Sequence, residues 1–452
     1  MIGPAIAAAR AAGALSRRAG RGGTSLPGKV LLHLEPEAIT TLAARLPRGT
    51  AAISATNGKT TTAAIVAAVL ARSGGRVVHN VQGANMAGGV ASALLDASHG
   101  RGIDGEFGLF EVDEFWLDSV APQLRPRALL LGNLFRDQLD RYGELETIAD
   151  RWATVLDHLS GTRLVLNADD PLVADLGVGR AGVLYFGVED DAVALADLPH
   201  ASDSKHCRRC GTPLTYDAVY VGHLGRWRCP RGDTHRPEPD VAATNIRLDG
   251  TRGARITLRT PAGEAEVALG LPGLYNVYNA VGAAALCLAL GVELDDIVGG
   301  LEEVRAAFGR AETVTVDGHE LAILLVKNPT GANEVLRTLA LEPGEIDLLA
   351  VLNDNIADGR DVSWIWDADL ELLAGGVRRV VCSGTRAPEL ALRLKYAGIA
   401  EDRIEVVDDL EAGLDAALDG AGERLYAMPT YTAMLALREI LSKRGATSGM
   451  FT

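Results

Sequence analysis

Ala51-Ala52-Ile53-Ser54-Ala55-Thr56-Asn57-Gly58-Lys59-Thr60-Thr61-Thr62 is the stretch whose reading decides the fold. A short apolar run ends in Gly-Lys-Thr and passes directly into the apolar pattern Ala63 to Leu70. This predicts a buried strand, a tight loop and a helix. Such a loop binds phosphate: Gly58 lets backbone N–H groups approach phosphate oxygens, Lys59 supplies a point charge, and Thr60 offers a hydroxyl to Mg²⁺. The helix that follows aims its positive end at the same place. The general phosphate-loop pattern asks for a glycine where this chain has Ile53, so the stretch by itself also fits an ordinary strand–turn–helix.

Outward from this stretch the chain alternates strands and helices. Strands are expected at 51–54, 76–79, 107–112, 128–131 and 163–167, with helices at 61–72, 88–96 and 151–159. Short apolar strands separated by helices predict an α/β fold with a mostly parallel, doubly wound sheet and its ligand at the strands' carboxyl ends. Residues 203–240 break the rhythm with a polar segment of three Cys, three His and several Pro. A hairpin follows about Pro261-Ala262-Gly263, joining strands 254–258 and 265–269, and then a long helix over 278–290. A second α/β unit reads as strands 321–326, 346–352, 378–382 and 423–427, with helices 332–340, 370–374, 389–397 and 431–443. The division is 1–45 (a helix, then a Gly/Arg-rich connector at 16–30), 46–311 with the 203–240 insert, and 312–452.

Composition narrows the class. A chain of 452 residues with 48% hydrophobic content and a net charge of −15 reads as a soluble α/β enzyme, without the basic face that nucleic acid requires. No apolar run reaches membrane-spanning length. The segment Met1–Leu15 carries Arg10 inside and Arg17-Arg18 after it, the wrong charge order for a signal peptide. It reads as a short amphipathic helix resting on a membrane, on a partner or on its own domain. Three clustered cysteines among five suggest a reduced compartment and a metal, hence a cytoplasmic protein.

Two further stretches carry chemistry. Glu111-Val112-Asp113-Glu114 ends a strand, where an acidic side chain reaches a phosphate-bound Mg²⁺ beside Thr60; Glu111 is the preferred ligand. The loop Gly132-Asn133-Leu134-Phe135-Arg136-Asp137-Gln138-Leu139-Asp140-Arg141-Tyr142-Gly143-Glu144 gathers Asn, Arg and Asp on the same sheet edge.

These motifs, in this order, resemble the Mur ligase family. Gly273-Leu274-Tyr275-Asn276-Val277-Tyr278-Asn279-Ala280 and Gly309-Arg310-Ala311-Glu312 match its later motifs. The family's usual N-terminal domain, which holds a UDP-sugar, has no counterpart in residues 1–45, and the 203–240 insert is foreign to ordinary members. Both features resemble one branch, the MurT-type synthetase subunit of lipid II isoglutaminyl synthase. The same branch is marked by Gly20-Arg21-Gly22-Gly23, Arg236-Pro237-Glu238-Pro239-Asp240 and the run Leu352 to Asp367, which includes Asp354, Asp358, Asp361, Trp364 and Trp366.

The resemblance implies an ATP-dependent ligase of peptidoglycan synthesis, acting at the inner face of the cell membrane on lipid II. The α-carboxylate of its D-glutamate is phosphorylated, and ammonia from a GatD-type glutaminase subunit then gives D-isoglutamine. Thr56, Asn57, Gly58, Lys59, Thr60, Thr61, Asn279, Arg310 and Asp354 are implied on ATP, with Thr60 and Glu111 on Mg²⁺. Lys59, Glu111 and Asp354 are the catalytic set, and Asp361 is the candidate to complete the partner's active site. A plain N-cap reading of Asp361 stands beside that one.

Relatives in the branch write Cys-x₂-Cys twice, as a structural zinc ribbon does. Here Cys207-Arg208-Arg209-Cys210 is complete, but Cys229 is followed by Gly232 at the fourth position. Zn²⁺ is therefore expected on Cys207, Cys210, Cys229 and His235, with Asp233 and His206 as weaker choices. Two other functions stay open: a stand-alone ligase of the folylpolyglutamate type, and a non-catalytic nucleotide-binding scaffold for a glutaminase.

Overall fold

The computed structural model of the chain describes residues 2–18, 25–80, 84–136, 145–199, 202–232, 234–304 and 310–446. Two sheets organise them. The larger has nine strands in the spatial order Gly263–Leu269, Ala254–Thr260, Val241–Leu248, Leu184–Val188, Arg163–Asn167, Ala128–Leu131, Thr50–Ser54, Phe107–Glu111, Val77–His79. All neighbours are parallel except the two pairings of the terminal hairpin. Thr50–Ser54 lies at the switch of chain direction, between Ala128–Leu131 and Phe107–Glu111, and is buried at every position. Its small, unbroken apolar side chains suit a strand covered on both faces. One face packs on helices Lys59–Arg72, Leu274–Ala289 and Leu294–Glu303. The other packs on Leu26–Leu34, Ala87–Ala97, Leu117–Leu124 and Leu145–His158.

The second sheet has six strands in the order Arg310–Val316, His319–Leu324, Arg424–Pro429, Ile346–Val351, Val377–Ser383, Ile404–Val406. It is parallel except for the first pairing. Each of its faces carries its own buried cluster. The units built on the two sheets touch through polar contacts of their loops. Glu342 accepts from the Thr251 N–H at 2.6 Å and its hydroxyl at 2.8 Å, and Arg136 lies 3.8 Å from Asp367.

The doubly wound fold is as expected, with local differences. The connector placed at 16–30 is shorter: one helix runs Gly3–Arg18 and another begins at Leu26, with Pro27 in its first turn, where a missing N–H costs nothing. The N-terminal helix packs on its own domain, with Ala9 buried and Arg10 donating to the Leu95 carbonyl at 3.1 Å. Two helices begin earlier than expected, at Leu145 and Leu274. The segment Leu370–Leu373 is a single 3₁₀ turn, stopped by Gly375-Gly376 just beyond it. Strands Leu184–Val188 and Val241–Leu248 fall in stretches where no strand is expected. Among the described residues no helix is long and apolar enough to cross a membrane. The Gly20–Gly23 motif lies outside the described residues.

Candidate functional site

The phosphate loop leaves its strand at Ser54 and turns on Gly58, whose φ of 85° lies in the left-handed region. A side chain there would be strained, and its Cβ would sit 2.0 Å from Asn279 Oδ1. Glycine is thus required by backbone and by space. Asn279 packs under the loop, is held by its amide on Asn276 Oδ1 at 3.0 Å, and lies 3.3 Å from the Thr62 hydroxyl. Asn276 in turn donates to the Pro272 carbonyl at 2.7 Å, a structural duty.

The neighbouring loop braces Thr56 and Asn57. Asn133 accepts from the Asn57 N–H at 2.8 Å and donates back to its carbonyl at 3.1 Å. The Thr56 hydroxyl accepts from the Phe135 N–H at 3.1 Å. Residues 137–144 of that motif lie outside the described residues.

The charged groups sit at the carboxyl end of the sheet. The Thr60 hydroxyl donates to Glu111 Oε2 at 2.9 Å, so the pair expected around Mg²⁺ is assembled. Lys59 is 8% exposed and pairs with Glu114 at 2.7 Å. Burial alone would depress its ammonium, but Glu114, Glu111 and Asp113 outweigh that and raise its pKa. Glu114 is a site residue that sequence reasoning left without a role. A hydroxyl beside a carboxylate, a buried lysine and a loop that admits no side chain fit a Mg–nucleotide phosphate group in both charge and space.

The second domain reaches into this site with residues absent from the expected set. Asn328 Nδ2 donates to Asn57 Oδ1 at 3.0 Å, and Lys327 Nζ lies 3.5 Å from the Thr56 carbonyl. Asn328 also caps helix Pro329–Leu339 by accepting from the Gly331 N–H at 2.8 Å. The sequence signal was Asn-Pro after a buried strand, a helix start.

Asp354 and Asp361 make their hydrogen bonds within the second domain. Asp354 is engaged by Thr385 at 2.8 Å and Arg386 at 3.2 Å, bonds that hold its carboxyl below the usual range. Arg310 begins a strand paired to Leu324, and its side chain lies outside the described residues. Asp361 is exposed and accepts from the Ser363 N–H at 2.9 Å, a local bond just ahead of the 3₁₀ turn Ser363–Trp366, whose N-cap position is Val362. Asp358, by contrast, is buried and spent on Thr432, whose N–H donates to it at 2.7 Å.

The 203–240 insert holds a two-stranded antiparallel sheet, Thr215–Val221 with Leu224–Arg228. Its tip reaches the cleft: a Cβ at Gly222 would meet both Phe135, at 2.9 Å, and Thr330 of the second domain, at 3.2 Å. Its base rests on buried charge. Arg236 donates to Asp169 at 2.5 Å and to the Val188 carbonyl at 3.0 Å, and Tyr278 donates to Asp169 at 2.5 Å. Burial works against the Arg236 charge, but Asp169 and Glu189 outweigh it and push its pKa further up. Arg236 is the first residue of the motif Arg236–Asp240; the last accepts from the Tyr185 N–H at 2.8 Å.

Cys207, Cys210 and Cys229 bring their sulfurs within 4.8 Å of one another. Three thiolates so placed fit a thiophilic dication such as zinc. His235 is a correction. The Cys229 N–H closes its turn on the Thr234 carbonyl at 2.8 Å, and the next residue goes straight into an extended bridge with Arg228. His235 therefore does not join the sulfurs. His206 is likewise held in a bridge, with Pro213, and Asp233 lies outside the described residues.

Residues 53–223 match the Mur ligase middle domain, and residues 325–434 match the MurT ligase C-terminal domain. The chain is 32% identical to the lipid II isoglutaminyl synthase (glutamine-hydrolyzing) subunit MurT of Streptococcus pneumoniae, over 94% of each chain. It is 31% identical to the Staphylococcus aureus subunit of the same description, over 97% of each. A pseudomurein peptide ligase type C from Methanothermus fervidus shares the fold, with a TM-score of 0.67 at 22% identity, covering 89% of this chain and 80% of that one.

Proposed function

This chain belongs to the MurT family of Mur-ligase-like subunits, and from that premise we propose that it uses ATP to activate one carboxylate for ammonia made on a partner subunit. The substrate in this reading is lipid II and the group is the α-carboxylate of its D-glutamate. The terminal phosphoryl group passes from ATP to a carboxylate oxygen, giving ADP and an acyl phosphate. Ammonia nitrogen then bonds to the carbonyl carbon, the carbon–oxygen bond to phosphate breaks, a proton leaves nitrogen, and phosphate departs from the new D-isoglutamine. The observation that carries the reading is Lys59 beside the Thr60–Glu111 pair, met from the other domain by Lys327 and Asn328.

Roles follow from charge and position. Lys59 and Lys327 offset the charge that develops on the transferred phosphoryl group. Thr60 and Glu111 would hold Mg²⁺, which neutralises phosphate oxygens when bound. Thr56, Asn57, Gly58 and Thr61 shape the phosphate cradle, and Asn279 fixes Gly58 from below. Asp354 and Arg310 are assigned to the nucleotide on family pattern alone. A cleft bridged by both domains excludes water, which otherwise hydrolyses an acyl phosphate. In this reading residues 46–311 form the ATP-binding domain and 312–452 the closing domain, after an N-terminal segment 1–45.

The partner is a GatD-type glutaminase with its own nucleophilic cysteine. Burial pushes the Cys287 and Cys382 thiols up, Cys382 to about 12, which suits neither for that work. Asp361 is the residue assigned to the partner's active site, because it is exposed where Asp358 is spent. Zinc is assigned to Cys207, Cys210 and Cys229, where it would tie the two ends of the insert together. Lys59→Ala tests the reading: amidation of lipid II by the purified complex should fall by about 10²–10³-fold or more. Full activity in that variant would leave this chain a scaffold.

A further inference from the structure

The hairpin of the insert ends in a two-residue turn, Gly222-His223, between the paired residues Val221 and Leu224. Gly222 takes the first position at φ 57°, in the left-handed region where such turns favour glycine. His223 locks the turn to the central domain. Its ring is wholly buried, tilted against Phe135 with 4.8 Å between centroids, and Nε2 lies 3.4 Å from Asp170 Oδ2. That same carboxylate oxygen accepts from the Leu134 N–H at 2.8 Å. Phe135 in turn donates its N–H to Thr56 of the phosphate loop at 3.1 Å. The turn therefore backs the segment 133–135 that braces the phosphate loop. On its other side stands the second domain. A Cβ at residue 222 would lie 2.9 Å from Phe135 Cε1 and 3.2 Å from Thr330 Cγ2. Thr330 is buried in the first turn of helix Pro329–Leu339, directly beyond Lys327 and Asn328, the residues that meet Thr56 and Asn57.

We propose that Gly222 is a positioning residue for the reaction: the bare tip of the insert is the seat on which helix Pro329–Leu339 comes to rest, and it sets how closely Lys327 and Asn328 approach the phosphate loop. The backbone of the turn alone does not demand this, since asparagine also enters the left-handed region. The space does. Non-bonded carbons pack at about 3.5–4.0 Å, so a Cβ at residue 222 forces Phe135 or Thr330 to move. Phe135 is held by the His223 ring and by its bond to Thr56, which leaves the second domain as the side that yields. Thr330 and Asn328 share one helix start, so a shift at Thr330 is carried to Asn328 and to Lys327 beside it. A reacting group misplaced by about 1 Å can cost about 10²-fold in rate, and a smaller shift costs proportionately less. The proposal deepens the reading above and rests on Lys327 and Asn328 acting on the phosphate loop from the second domain.

The test is a double-mutant cycle on lipid II amidation by the purified complex, with kcat and the KM for ATP measured separately. Gly222→Ala should lower kcat about tenfold and leave the KM for ATP within about twofold. Gly222→Asn brings the same Cβ on a backbone that asparagine tolerates, and it should show the same split even where alanine at φ 57° weakens the hairpin. Thr330→Ser removes only the methyl group that faces the tip, and alone it should change kcat by less than about twofold. Combined with either Gly222 variant, it should restore turnover by about threefold or more. A turn weakened only within the insert would gain nothing from a methyl group removed in the other domain. Turnover in the Gly222 variants that Thr330→Ser does not raise overturns the proposal, as does a loss confined to KM or a wild-type kcat in both Gly222 variants. Carboxylate activation is judged separately by Lys59→Ala, since the cycle alters no residue of the phosphate loop.

Discussion

The phosphate loop and the cysteine turns both use a tight bend to aim polar atoms at a charged group, yet they are supported in opposite ways. Three asparagines from distant parts of the chain hold the loop: Asn133 its amide, Asn279 the underside of Gly58, and Asn328 its side chain from the other domain. Its polar groups are paired within the protein, the Lys59 ammonium with Glu114 and the Thr60 hydroxyl with Glu111. The cysteine turns are closed chiefly by their own backbone, which gathers three sulfurs. A site that must stabilise a passing charge needs its dipoles fixed in advance. A metal site can leave part of that ordering to the ion.

The buried cluster between the two regions offers the largest test of this contrast. Arg236→Met leaves Asp169 buried without its partner and should cost about 3–5 kcal/mol in urea unfolding. The exposed pair Arg228–Asp217, at 2.7 Å, is the control, and Arg228→Met should cost no more than about 1 kcal/mol. Equal losses would mean that the insert is not anchored through Asp169.

Lys327→Ala comes next and isolates the cross-domain contribution. Amidation should fall about 10²–10³-fold while the urea midpoint stays near the wild-type value. Unchanged turnover would return the whole phosphate charge to Lys59. The smallest effect is expected from the cysteine side. Stripping metal with a chelator should lower the melting temperature but change amidation below that temperature by less than about twofold, since the cysteines flank the end of the hairpin opposite the tip that meets the cleft. A collapse of activity with intact secondary structure would make the metal part of the catalytic apparatus.

How legible the site was depended on how far its parts lie apart in sequence. Lys59, Thr60 and the acidic end of Phe107–Glu111 were readable because strand, loop and helix follow each other within a few residues and their chemistry is spelled in order. The Lys59–Glu114 pair was not, since the turn after Glu111 decides which carboxylate faces the lysine. Lys327 and Asn328 lie 271 residues from their partners Thr56 and Asn57, and no local spacing links them. His235 failed for a related reason. Counting residues treats the chain beyond Cys229 as free to bend, but the Thr234 carbonyl closes the turn and the next residue extends along Arg228. Asp-Val-Ser suggested an N-cap aspartate; Asp361 does accept from the Ser363 N–H, but Val362 holds the cap position, and the exposure of Asp361 is what the sequence did not announce.

The central claim is that the phosphate loop makes an acyl phosphate, and isotope transfer tests it most directly. Lipid II carrying ¹⁸O in the α-carboxylate of its D-glutamate is amidated by the purified complex with ATP and an ammonia source, and the released phosphate is analysed by mass spectrometry. Transfer of one carboxylate ¹⁸O to phosphate for each amide formed is the expected result. Amide formed with unlabelled phosphate would contradict the account.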